Sequence, residues 1–158
     1  MSSYRPRVYT ASILGEYRLW QTFTEDPDWA FCKFTASWPY KAQLEWEASE
    51  PPPQELLREA WQTNIREILD SDFLLLYGRL ARIPPLRGAL VEAGVALGNN
   101  IKIIAVGLDL EHTWAQHHLV VHVNSLRDAR DYLQRYTVMA PPRSRRTESE
   151  NRNIERDD

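Results

Sequence analysis

The chain has 158 residues, 43% hydrophobic and 26% charged, the make-up of one soluble globular domain long enough to bury a core. A net charge of −3 supplies no general pull toward nucleic acid or anionic membrane, so neither is an expected partner. A lone cysteine, Cys32, excludes an internal disulfide and suits a reducing compartment.

Met1-Ser2-Ser3-Tyr4-Arg5-Pro6-Arg7 is not followed by the long apolar run of a signal peptide or anchor, and a cytoplasmic location is the expectation. Val8 to Ser12 reads as a first strand, short and rich in β-formers. From Gly15 to about Thr24, Tyr17, Trp20 and Phe23 recur at helical spacing, which predicts a first helix. Ala30 to Trp38 reads as a second strand of weak alternation. Pro39 to Pro53 holds Glu45, Trp46, Glu47, Glu50 and three consecutive prolines. It is expected to be a long surface loop, a kind that tends to be functional or disordered.

Pro53 to about Asp70 predicts an amphipathic helix. Leu57, Trp61, Ile65 and Ile68 form its apolar stripe, and Arg58, Glu59, Gln62 and Arg66 take the other side. Asp72 to Tyr77 is almost continuously apolar, as in a strand covered on both faces. After a loop over Arg79 to Arg87 comes Arg87-Gly88-Ala89-Leu90-Val91-Glu92-Ala93-Gly94-Val95-Ala96-Leu97-Gly98. This segment is apolar or small on every side except at Glu92, and such a helix is expected to be buried. A buried carboxylate needs partners, a raised pKa or a cavity; an exposed one would simply favour the positive helix N-terminus.

Ile101 to Leu108 is a further buried strand and Leu119 to Val123 a shorter one. Ser125 to Gln134 reads as a helix capped by Ser125, with Asp128 completing a near capping box. Alternating strands and helices around apolar central strands argue for a doubly wound α/β domain over residues 1–140. Residues 141–158 are polar and mixed in charge, and are expected to form a loosely ordered tail.

In such a sheet the ligand crevice lies beyond the C-terminal strand ends. The rule picks out Thr10, Ala11 and Ser12, then Trp38, the segment leading to Glu92, and Gly107 with Asp109. No glycine-rich phosphate loop and no Gly-x-Ser-x-Gly elbow is present. His112, His117, His118 and His122 lack the companions of a zinc site and read as edge or loop residues, so no metal is expected. Trp38 is either a stacking surface or packing. Trp114 is a weaker version of the same choice. Asp70 and Asp72 flank a helix-to-strand junction, where Asp is often a turn residue.

Tyr9 on the first strand, Asp70 and Asp72 before the third, the Gly88 to Gly98 run and Ile101 to Gly107 together resemble the nucleoside 2-deoxyribosyltransferase family. That family includes the deoxynucleoside 5′-monophosphate N-glycosidases, and the likeness is to its small stand-alone members often encoded by phages. It covers roughly Val8 to Leu133, without the Pro39–Pro53 loop and the tail. The resemblance implies a flavodoxin-like three-layer sandwich with a five-stranded parallel sheet, assembled as homodimers or higher oligomers, and no cofactor. It implies Glu92 as nucleophile on C1′ of a deoxyribosyl group, Tyr9 orienting it, and Asp72 (or Asp70) protonating the departing base. Ser12, Arg87 and the Gly88 backbone are implied near the sugar or a 5′ substituent, and Trp38 near the base. The chain departs from the family pattern at Leu86, where an acid or serine is usual, and at Leu14, where the glycosidases carry Arg. The alternative is a binding module for nucleotides or nucleoside metabolites that kept the fold without the reaction.

Overall fold

The computed structural model describes residues 4–12, 16–39, 53–78, 87–108 and 113–139. The chain runs β1 (Arg7–Ala11), α1 (Tyr17–Glu25), β2 (Lys33–Phe34), α2 (Gln54–Leu69), β3 (Phe73–Tyr77), α3 (Arg87–Gly98), β4 (Lys102–Val106), β5 (Val120–Val123) and α4 (Leu126–Met139). All neighbouring strands pair in parallel, in the order β2-β1-β3-β4-β5. This is the flavodoxin-like order expected from the sequence, and it puts the reversal of strand order between β1 and β3.

The register assigns the two faces. Val8 pairs with Phe73 and Tyr9 with Leu74, so alternate residues of adjacent strands point the same way. Trp20 of α1 meets Tyr77 edge-on and Tyr136 of α4 meets Phe73 edge-on, so α1 and α4 cover the Val8, Phe73, Leu75 and Tyr77 face. Tyr9 reaches Glu92 of α3, so α2 and α3 cover the face of Tyr9 and Leu74. Helices on both faces explain why Phe73 to Leu76 and Ile103 to Val106 are at most 1% exposed. Each of these large side chains contributes about 1.5–3 kcal/mol by leaving water.

The terminal features follow local chemistry. The α3 helix ends with Asn100 at φ 57°, where Asn100 N–H donates to Leu97 O and Ile101 N–H to Ala96 O. That pair of bonds is a Schellman cap with asparagine in the left-handed position. Ser125 caps α4 through Asp128 N–H at 3.1 Å, and its hydroxyl donates to the Asp128 carboxylate at 2.7 Å. The helix continues to Met139, beyond the expected Gln134.

Three expectations are corrected. The second strand is only Lys33–Phe34, because Pro27-Asp28-Trp29 forms a 3-10 turn and Cys32 N–H closes back on Trp29 O. Those bonds hold the chain curled until just before Lys33. The stripe on α2 is buried only at Ile68; Leu57 and Trp61 are 51% and 39% exposed, and the first two turns of the helix are exposed on every side. The α3 helix is not buried all round either. Ala89, Glu92, Ala93 and Ala96 face the sheet while Leu90 and Val91 are exposed. Alanines on the inner face let the helix lie close to β1 and β3, which leaves its larger side chains outside. The expected Pro39–Pro53 and Arg79–Arg87 loops fall almost wholly outside the described residues, as do the tail, Leu14 and Leu86.

A candidate active site around Glu92

Tyr9 occupies the middle of β1, and residue alternation turns its ring toward α2 and α3. Its hydroxyl donates to Glu92 Oε1 at 2.8 Å. The amide of Asn64, on the inner side of α2, donates to the same oxygen at 3.1 Å. Glu92 is 8% exposed and is thus a buried acid with donors, as one of the sequence alternatives required. Both donors fall on Oε1, and Oε2 takes none among the described residues.

Burial pushes the Glu92 carboxyl up from its ordinary 4.5 to about 7, with the hydrogen bonds from Tyr9 and Asn64 pulling against it and the Glu67 charge adding to the rise. Burial likewise raises the Tyr9 hydroxyl far above its usual range, with the negative Glu92 second. Tyr9 therefore stays a proton-bearing donor at any working pH. The pair presents one fixed oxygen and one unengaged oxygen in a dry setting, the arrangement of an oriented carboxylate nucleophile.

A polar rim lies beside it. Glu67, one helical turn after Asn64, accepts the Ser37 N–H on Oε2 at 3.0 Å. Trp38 is 9% exposed and its indole N–H donates to Thr10 O at 2.6 Å, locking the ring beside β1. The Ser37 hydroxyl is buried and has no hydrogen-bond partner among the described residues.

The structure brings Tyr9 and Glu92 together and puts Trp38 next along β1. It does not bring Asp72 to them. The Asp72 carboxylate lies at the N-terminal end of β3, where it accepts Tyr4 OH at 2.7 Å and Arg7 N–H at 2.9 Å. Asp70 is an exposed ion-pair partner of Arg7. Both acids tie down the start of β1, the end of the sheet opposite the ligand crevice, which corrects the sequence-based expectation for them. Ser12 sits at the C-terminal end of β1 with its hydroxyl on Tyr77 O at 3.3 Å. Gly88 lies exposed in the first turn of α3 with open space where a side chain would be. Arg87 begins that helix, but its side chain falls outside the described residues.

Asn64 and Glu67 escaped the sequence reading. The available signal was Asn64 standing one turn before the core-facing Ile68, an inward position that a polar residue occupies only with partners. Cys32 offers no rival nucleophile: burial pushes its thiol up to about 12, and its Sγ–H donates to Trp29 O. Among the described residues no three His, Cys, Asp or Glu side chains are grouped to hold a metal ion. No helix among them is long and apolar enough to cross a membrane.

No family model matches the sequence, and no curated protein matches it. Among solved structures, the CMP N-glycosidase BcmB of Clostridium botulinum aligns over 84% of this chain and 98% of its own, at 14% identity and a TM-score of 0.44. A likeness of that degree carries no inference about chemistry.

Proposed function

We propose that this chain cleaves or transfers the N-glycosidic bond of a 2′-deoxynucleoside or its 5′-monophosphate, with Glu92 as the nucleophile on C1′. The observation that carries the reading is the buried Glu92 carboxylate held on one oxygen by Tyr9 and Asn64. The family resemblance of the sequence supplies the substrate class.

In the first half-reaction Glu92 Oε2 attacks C1′ as the bond to the base breaks, giving a glycosyl ester; water or a second base then attacks C1′ and frees the carboxylate. Tyr9 fixes the rotamer and restrains negative charge on Oε1. Trp38 forms a rigid wall on the base side. Ser12, after the C-terminal end of β1, and Arg87 with the Gly88 backbone, at the start of α3, bind the sugar or a 5′ substituent. The direct test is incubation with deoxynucleosides and deoxynucleotides, with and without an acceptor base, followed by chromatography of free bases. Tight binding with no base released would select the non-catalytic module instead.

Tyr9→Phe removes a bond that holds the Glu92 pKa down. The nucleophile must be ionised, so the acid limb of kcat/KM is expected to move to higher pH than the wild-type midpoint near 7. With a charged-group hydrogen bond worth about 1.5–3 kcal/mol, the plateau is expected to fall roughly 10- to 100-fold. An unmoved limb in a pH–rate series would separate Tyr9 from Glu92.

The reading extends to self-association. Among the described residues the exposed large apolar side chains, Leu56, Leu57, Trp61, Leu90 and Val91, all lie on α2 and α3, the helices that carry Asn64 and Glu92. Single exposed apolar residues are ordinary, but a group confined to two packed helices marks a contact surface. Trp61→Glu is expected to convert a dimer or larger oligomer into monomer in analytical ultracentrifugation. A wild-type protein that sediments as a monomer at tens of micromolar would end this part of the proposal.

A further inference from the structure

The double displacement needs a group that gives a proton to the leaving base and later takes one from the acceptor, and Asp72 is held at the far end of the sheet by Tyr4 and Arg7. Resting on the glycosidic reading above, we infer that Glu67 is this acid–base residue. Asn64, three positions earlier on α2, touches Glu92, and residues three apart share a helix face. The Ser37 N–H holds Glu67 Oε2, and the Thr35 hydroxyl donates to Glu67 O at 3.2 Å, so the chain just before Trp38 fixes the residue. Oε1 of Glu67 takes no donor among the described residues. Ser37, whose N–H holds Glu67, also carries a buried hydroxyl with no hydrogen-bond partner among the described residues. Proximity to the reacting pair is independently visible in the field of Glu67, which raises both Tyr9 and Glu92.

The steps balance. The reactive form carries one proton across the two acids, on Glu67, with Glu92 ionised. As Glu92 Oε2 bonds to C1′, the C1′–N pair leaves with the base, and the Glu67 proton moves to that base. In the second half the Glu67 carboxylate removes the proton from water, or from the N–H of an incoming base, as that atom bonds to C1′. The Glu92–C1′ pair then returns to the carboxylate. In this scheme the base leaves along Trp38, whose indole is fixed on Thr10 O and whose preceding residue holds Glu67.

Glu67→Gln separates this role from a structural one. The comparison uses a natural deoxynucleoside that the wild type cleaves and a derivative whose base departs without a proton, an N7-methylated purine or a 5-nitrouracil. The variant is expected to lose about 100-fold or more in kcat on the natural substrate, in line with general-acid contributions. It should keep activity within severalfold on the derivative. Retained turnover of the derivative also shows that the variant is folded. Equal losses on both substrates, or no loss on either, overturn the role of Glu67 and leave Glu92 untouched. Failure of the unsubstituted protein to release base from any substrate overturns the glycosidic reading itself.

Discussion

Glu92→Gln is expected to abolish base release while making the folded protein more stable above neutral pH. The amide keeps the shape of the carboxylate and can still accept from Tyr9 and Asn64, so the site should remain intact. It cannot form a stable ester with C1′, and loss of a nucleophile typically costs about 10⁴-fold or more. The stability effect has a definite sign. The carboxyl binds its proton more tightly when folded, at about 7 against an ordinary 4.5, so its favourable contribution is complete below the unfolded value. It is lost as pH rises through the folded value. At about 1.36 kcal/mol per pKa unit, the loss between pH 5 and 8 is on the order of 2–3 kcal/mol. The Gln variant carries no such proton. Its Tm relative to wild type is therefore expected to climb by roughly 5–10 °C across that interval, from the usual scaling for a domain of this size. Differential scanning fluorimetry at several pH values, with base release measured on the same samples, checks both halves. Flat relative Tm values would mean that Glu92 is ionised in the fold at no cost, and undiminished base release would end its role as nucleophile.

The contrast between Glu92 and its neighbours shows what a sequence can disclose. The layered fold was legible because β3 and β4 are apolar without interruption, and only strands covered on both faces need that. Glu92 was legible because it is the lone acid in an apolar helix. Its surroundings were less so. Asn64 and Glu67 sit on a helix whose apolar spacing looked like a core stripe, yet Leu57 and Trp61 are exposed. Periodicity finds one apolar face but does not say whether sheet, partner or solvent lies beyond it. Asp72 was misplaced for a different reason. A resemblance supplies residue types near a strand, and the end of the strand at which an acid is used is fixed by register, here the pairing of Val8 with Phe73.

That placement gives Asp72 its own expected result. Its carboxylate accepts the Tyr4 hydroxyl and the Arg7 N–H, and Asp72 N–H donates in turn to Arg7 O at 2.8 Å. Asp72 thus continues the β1–β3 ladder by one residue and closes it with a side chain. Asp72→Ala removes the acceptor from two donors, one of them a part-buried backbone N–H. Hydrogen bonds to a charged group are worth about 1.5–3 kcal/mol each. Some solvent access and relaxation reduce the sum, so a loss of about 2–4 kcal/mol is expected, a fall in Tm of roughly 5–15 °C. Asp72→Asn keeps one acceptor oxygen and should lose about half as much. Base release by both variants, assayed well below their Tm, is expected to stay within about twofold of wild type, as for other changes that act on stability away from the reacting groups. Urea denaturation gives the first quantity and initial rates the second. A variant that unfolds like wild type but has lost the chemistry would return Asp72 to the reaction and remove the need for Glu67 in it.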